Sequence, residues 1–202
     1  MRITGGQHGG RLLHAPATGL RPTQDRVRAA LYSALAPVVP GAHVLDLFAG
    51  TGALGLEAWS RGAAAVDFVE SAPTTLRVLH ANCAALRLRS GTSRILAADV
   101  FRVLAAPPRL PAAPYDIVLA DPPYELARRH AYLSRLAELL LQNNWLPAPP
   151  TPSFFVFETD DPTPPPPLPS FQLIFHRTYG TTRLLIFRRQ PPAALAPSPS
   201  PA

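Results

Sequence analysis

Two short stretches of this chain hold residues whose types and spacing could do chemistry. The first, His43 to Gly55, reads H-V-L-D-L-F-A-G-T-G-A-L-G. An apolar run, Val44, Leu45, Leu47 and Phe48, breaks into Ala49-Gly50-Thr51-Gly52 and resumes as a helix-forming pattern from Ala53 to Arg61. A strand, a glycine turn and a helix N-terminus make a cradle for a small molecule. Glycines let a ligand approach backbone N–H groups closely, and the helix end offers unpaired donors. The second stretch, Ile117 to Tyr124, reads I-V-L-A-D-P-P-Y. It is a buried-strand pattern that stops abruptly. Pro122 and Pro123 remove two N–H donors and leave carbonyl acceptors. Asp121 adds an anionic acceptor, and Tyr124 offers a ring for stacking. An acceptor-rich notch beside an aromatic plate suits the exocyclic amino group of a base.

Asp46 narrows the choice of small molecule. Gly50, Gly52 and Gly55 satisfy G-x-G-x-x-G, the dinucleotide fingerprint, which alone is a weak signal. In a dinucleotide site the glycine turn wraps a pyrophosphate, and a carboxylate four residues before Gly50 would repel it. S-adenosyl-L-methionine carries no phosphate; it carries an ammonium, a carboxylate and a sulfonium. Asp46 can act near the ammonium while turn donors approach the carboxylate. Glu70 ends the next strand pattern, Ala65 to Glu70, where a ribose diol is bound in such folds. That position serves NAD and S-adenosyl-L-methionine alike. Asp99 could accept from an adenine amino group, or cap a helix, or both.

These residues need a scaffold, and the hydropathy pattern supplies one. Strands are expected at 43–48, 65–70, 93–97, 115–120 and 153–158, and helices at 53–61, 73–87, about 99–105 and 126–141. That alternation predicts an α/β fold with a doubly wound, mainly parallel sheet. Phe171–His176 and Arg183–Arg188 flank Tyr179-Gly180 and predict a final antiparallel hairpin. The proline run 162–169 cannot be helix and is read as a stiff connector. Residues 191–202 are Pro/Ala/Ser-rich and are expected to be disordered. At the other end, Arg2-Ile3-Thr4 and Arg11 to His14 predict a small hairpin around Gly5–Gly10. Thr23 is a good N-cap for a helix with Val27, Leu31, Ala34 and Leu35 on one face, leaving Arg21, Arg26 and Arg28 mostly off it. The organisation expected is an arm and helix over 1–40, a catalytic domain over 41–190, and the tail.

Composition bounds the partners. The chain has 202 residues, enough for one ordinary α/β domain with extensions. Its single cysteine, Cys83, excludes a disulfide framework and reads as a packing residue. The six histidines lack ligand spacing, so no metal is expected. No apolar run approaches a membrane span, and no h-region follows Arg2, so a cytoplasmic protein is expected. All 19 basic residues are Arg. Residues 1–40 carry five Arg and one Asp, and residues 171–202 four Arg and no acid, while the middle carries ten Arg against twelve acids. Basic ends on a near-neutral core point to an anionic partner, nucleic acid foremost.

The two stretches together resemble the amino-methylating class of S-adenosylmethionine-dependent methyltransferases, through D-L-F-A-G-T-G-A-L-G-L-E-A at 46–58 and D-P-P-Y at 121–124. The arm narrows this. I-T-G-G-Q-H-G-G-R at 3–11 and L-R-P-T-Q-D-R-V-R at 20–28 are similar to bacterial RsmD-type 16S rRNA guanine-N2 methyltransferases. The resemblance covers roughly residues 2–190. It implies a Rossmann-like fold with a seven-stranded sheet. It also implies methylation of guanine 966 at N2 in 16S rRNA, within a 30S particle; a monomer is expected. The cofactor would lie over Asp46, Phe48, Ala49, Gly50, Thr51 and Gly52, with Glu70 and Asp99 beyond. Asp121, Pro122, Pro123 and Tyr124 would form the catalytic notch. Arg11, Arg21, Thr23, Arg26 and Arg28 would face RNA, the arginines holding phosphates for affinity rather than base choice. One departure is Gly9, where family members usually carry a basic residue.

The guanine amino nitrogen is a poor nucleophile because its lone pair is delocalised. Positioning should therefore provide much of the acceleration. Asp121, with a reference pKa of about 3.9, cannot deprotonate a neutral amine; it can accept from the amino group and relay a proton from the methylated cation. Three rivals stay open: an adenine-N6 methyltransferase sharing the D-P-P-Y logic, an NAD-dependent oxidoreductase, and a non-catalytic rRNA-binding factor.

Overall fold

The computed structural model describes residues 1–15, 25–88, 91–108, 113–123, 125 and 130–191. Its strands are β1 His43–Leu47, β2 Ala65–Glu70, β3 Ser93–Ala97, β4 Ile117–Ala120, β5 Phe154–Thr159, β6 Phe171–Tyr179 and β7 Thr182–Arg189. Its helices are α1 Asp25–Ala34, α2 Ala53–Ser60, α3 Pro73–Ala85, α4 Val100–Leu104 and α5 His130–Gln142. The apolar runs of β4 and β5 are buried at every residue, as central parallel strands demand. The strands form one seven-stranded sheet in the order β3-β2-β1-β4-β5-β7-β6. β1 to β5 run parallel; β7 is antiparallel to both neighbours. The order reverses between β1 and β4, which opens a crevice beyond their carboxyl ends.

Strand alternation divides the core into two layers. Val44, Val66, Phe68, Ile117, Leu119 and Val156 face a layer that includes Leu31, Leu56 and Leu79 from α1, α2 and α3. Leu45, Leu47, Val69, Val118, Phe155 and Phe157 face the other, with Leu104 of α4 and Leu136 and Leu140 of α5. β4 starts at Ile117 rather than at 115, because the Tyr115 N–H bonds to the Trp145 carbonyl instead of to a neighbouring strand. The Tyr115 hydroxyl donates to Asp67 Oδ2 at 2.7 Å, and its ring stacks on Trp145. Asp116 Oδ2 accepts from the His43 N–H at 2.8 Å.

The N-terminal arm docks on this frame. One antiparallel bridge, Arg2 with Leu12, closes its hairpin, and Ile3 and Leu13 are buried in the first core layer. α1 turns most of the expected face inward and widens it on one side. Val27, Leu31 and Leu35 are buried, but Ala34 is exposed, and Arg28 and Tyr32 take buried places. Arg28 is therefore a correction to the basic face. Its guanidinium is fully buried, donating to the Arg2 carbonyl at 2.6 Å and to Asp25 Oδ1 at 2.7 Å, with Nε 3.9 Å from Glu57 Oε2. An acid on α1 and another on α2 hold it inside, where a phosphate cannot reach.

At the C-terminal edge the hairpin is longer than the sequence indicates, joined by the two-residue turn Gly180-Thr181 with Gly180 at φ 65°. The proline connector has no regular structure. It is anchored nonetheless: buried Arg183 donates to the carbonyls of Asp161 and Thr163, and Leu168 enters the second core layer. The disorder expected for the tail falls on residues beyond 191, outside the described residues. Among those described, no helix is long and apolar enough to cross a membrane.

Candidate active site

The carboxyl ends of β1, β2 and β4 carry Asp46, Glu70 and Asp121. Asp46 stands across from Leu119, and the last pair between these two strands is Leu47 with Ala120. Asp121 follows immediately. The candidate site thus lies at the reversal of strand order.

Asp46 is wholly buried. Its Oδ2 accepts from the Gly55 N–H at 2.8 Å, inside the first turn of α2, so the strand carboxylate caps the helix. Its Oδ1 is buried with no hydrogen-bond partner among the described residues. Burial pushes its pKa from 3.8 up to about 8; the Gly55 N–H opposes that rise, and the nearby charges of Asp121 and Glu70 add to it. Gly55 is needed for packing as well. A Cβ there would stand 2.5 Å from the Phe68 ring and 2.8 Å from Val66.

The glycine turn is held in a wound shape, with Phe48, Gly50 and Gly52 at φ 57°, 57° and 82°. Several of its N–H groups have internal partners. Ala49 donates to the Val69 carbonyl, Gly52 to the Ala49 carbonyl, and Gly50 to Glu70 Oε2 at 2.9 Å. Glu70 Oε1 also accepts from Ser71 and Ala72, each at 2.7 Å. Glu70 therefore ties the turn after β1 to the start of α3. The expected ribose contact would come on top of these bonds. Thr51 is buried, and its carbonyl accepts from Asn82 Nδ2 at 2.9 Å.

Asp99 is the N-cap of α4, accepting from the Arg102 N–H at 3.0 Å. Beside it stand two rings that the sequence does not single out, Phe101 and Tyr132, packed with the expected Phe48. Phe101 meets Tyr132 edge-on at 4.9 Å, and Phe48 meets Tyr132 at 5.9 Å. Burial first, and then the Asp99 charge, push the Tyr132 hydroxyl up to about 12. The ring stays a neutral donor, and the three rings offer a stacking surface beside an acidic acceptor. This is the wall that a flat heterocycle would need. Tyr132 lies on α5, eight residues past Tyr124, where its sequence neighbours mark only an amphipathic helix.

Pro122 is buried, Pro123 exposed and Asp121 half-buried, which leaves Asp121 at the mouth of the crevice. Tyr124 lies outside the described residues. One strand over, Phe157 pairs with Ala120, and a cleft opens beyond it between Thr159, Asp161, Pro165, Arg183 and Leu133. The proline connector thus walls a small cleft beyond the end of β5. Of the arginines expected on RNA, Arg11 and Arg26 are exposed, and Arg26 reaches over the Gly180 turn. Arg21 and Thr23 lie outside the described residues.

The site fits a cation better than a phosphate. Glu70 and Asp121 set negative charge near a buried, protonated Asp46, whose Oδ1 has no partner among the described residues. Among the described residues no group of His, Cys, Asp and Glu could hold a metal ion.

Comparison with known proteins gives consistent results. A family model described as Conserved hypothetical protein 95 matches residues 1–188. Ribosomal RNA small subunit methyltransferase D of Escherichia coli (strain K12) is 42% identical over 147 residues, covering 72% of this chain and 69% of that protein. The protein of the same name from Haemophilus influenzae is 36% identical over 147 residues, covering 72% of this chain and 73% of its own. Among solved structures, yhhF of Escherichia coli, titled a candidate methyltransferase, superposes with a TM-score of 0.79 at 35% identity. The match covers 94% of this chain and 98% of that one.

Proposed function

The chain belongs to this RsmD-type family of ribosomal RNA methyltransferases, and from that premise we propose that it methylates the exocyclic N2 of a guanine in 16S rRNA. Guanine 966 is the target by resemblance, and the methyl donor is S-adenosyl-L-methionine. The observation that carries the reading is the buried, unpartnered Oδ1 of Asp46, flanked by the charges of Glu70 and Asp121. Such a turn is hostile to a pyrophosphate and suited to a cationic amino acid, so it favours S-adenosyl-L-methionine over NAD. The donor supplies an electrophilic methyl group on a positive sulfur.

The chain's own residues do the rest. Asp46 faces the cationic end of the donor. Phe48, Phe101 and Tyr132 give its adenine a stacking wall, with Asp99 as the acceptor for the amino group. Asp121 and the Pro122 carbonyl accept the two amino hydrogens of the guanine. That draws the nitrogen lone pair out of conjugation and stabilises the positive charge that develops on it. Asp121 then takes or relays the proton of the methylated amine. The base must leave its helix to reach this notch. Arg11 and Arg26 hold phosphates.

The test is transfer of a tritiated methyl group to 30S particles and to naked 16S rRNA, both lacking the modification, with the labelled nucleoside identified. N2-methylguanosine is the expected product. N6-methyladenosine would overturn the guanine assignment, and no transfer to either substrate would overturn the activity.

A further inference from the structure

We propose that Asn82 is a positioning residue that couples RNA engagement by the N-terminal arm to the shape of the cofactor turn; the proposal rests on the reading of the chain as an RNA methyltransferase. Asn82 sits within α3 and is fully buried. Its amide bridges two distant pieces of chain. Oδ1 accepts from the His14 N–H at 2.8 Å, and Nδ2 donates to the His14 carbonyl at 3.1 Å and to the Thr51 carbonyl at 2.9 Å. Both N–H groups and the oxygen are used. A flipped amide would set its NH2 against the His14 N–H and its oxygen against two carbonyls. One orientation alone satisfies all three partners.

Both ends of this bridge matter for the proposed reaction. Thr51 lies between Gly50 and Gly52, which adopt φ 57° and 82°. Two glycines leave the intervening peptide units free to rotate. Turning the Thr51–Gly52 unit re-aims the Thr51 carbonyl and the Gly52 N–H together. Asn82 holds the carbonyl end of that unit, while its N–H end is held by the Ala49 carbonyl. At the other end, His14 is among the last described residues of the arm before residues 16–24, which carry Arg21 and Thr23, and exposed Arg11 lies three residues earlier.

The arm has other anchors, but they lie elsewhere. Thr4 bonds to Glu57, and Gln7 and His8 bond to Ser60, all on α2 away from the turn. Asn82 alone among the described residues bonds to both the arm and the turn. RNA that pulls or fixes the arm at His14 therefore biases the Thr51 carbonyl, and a ligand that fixes the turn biases the arm. Such linkage is reciprocal.

The test measures the dissociation constant of S-adenosylhomocysteine with and without saturating unmodified 16S rRNA, naked and in 30S particles. In the wild type, RNA should change that constant by about fivefold or more. Asn82→Asp keeps the acceptor for the His14 N–H and loses both donations. His14→Pro removes the N–H from the arm side, leaves α3 and the turn intact, and keeps the idea falsifiable where Asn82→Asp fails to fold. In either variant the ratio should fall towards one while each ligand alone binds within about threefold of wild type, a split that general destabilisation would not produce. A wild-type ratio of one, or a variant ratio equal to the wild type's, overturns the coupling. A wild type that binds neither S-adenosylhomocysteine nor RNA overturns the methyltransferase reading, and the coupling with it.

Discussion

Replacing Asp46 with Asn should flatten the pH dependence of the ligand-free protein's stability. The wild-type carboxyl is buried, with one oxygen on the Gly55 N–H and the other unpartnered. Burial raises its pKa from 3.8 to about 8. The folded state therefore keeps a proton that the unfolded state gives up. Below 3.8 both states are protonated and the contribution is fully present. As pH rises from there through about 8, only the unfolded state ionises, and stability falls by about 1.4 kcal/mol per pH unit. Above that both states are ionised and the loss stops. Between about pH 5 and about pH 7 the wild type should lose roughly 3 kcal/mol through this group. For a chain of this size that is a Tm shift of roughly 6–12 °C. Asp67 is also raised by burial, so the wild-type slope contains its share, and the difference between wild type and variant isolates Asp46. Urea denaturation at a series of pH values gives both slopes. Equal slopes would refute the argument, because they would mean that Asp46 is ionised in the folded state at neutral pH.

Asp121→Ala should abolish methyl transfer while leaving S-adenosylhomocysteine affinity within about threefold, measured by calorimetry; near wild-type turnover would remove Asp121 from the acceptor role. Arg28→Ala and Arg26→Ala should separate cleanly. The first, at a buried ion-paired site, should cost about 3–5 kcal/mol in denaturant unfolding and leave the salt slope of RNA binding unchanged. The second should leave stability within about 0.5 kcal/mol and reduce that slope by about one phosphate contact. Tyr132→Ala should weaken S-adenosylhomocysteine binding by about fivefold or more, since a stacked ring is worth about 1 kcal/mol beyond its buried area; unchanged affinity would move the adenine elsewhere.

The central strands were legible because their apolar runs are continuous and end in turn residues. β1, β2 and β5 lie within a residue of where the pattern puts them. Asp46 and Asp121 were legible as strand-end acids for the same reason. What Asp46 touches was not, because the Gly55 N–H reaches it only after α2 has folded back over β1. Arg28 was misread because an arginine on a helix defaults to solvent. Its partner Glu57 lies on another helix and is itself an acid that a surface reading would leave outside. Asn82 carried a faint signal, a residue that favours caps and turns placed inside a helix, but nothing in the sequence says which carbonyls it meets. The proline connector was legible as non-helical, while its attachment to Arg183 depends on β7 pairing with β5.

Phe48 has a consequence for how this stretch can change over time. Along β1, side chains alternate between the layers, with Asp46 on the side of Val44 and Leu47 on the side of Leu45. Phe48 should return to the Val44 side. Its φ of 57°, which residues other than glycine rarely adopt, turns it instead against the layer that already holds Leu47. The strand end therefore presents an acid to one face of the sheet and an aromatic ring to the other within three residues. A chain that gained or lost one residue between Asp46 and Gly50 could keep the acid in place or the ring in place, but not both. The spacing from Asp46 to Gly50 is therefore a stricter requirement than the identity of the residues between them.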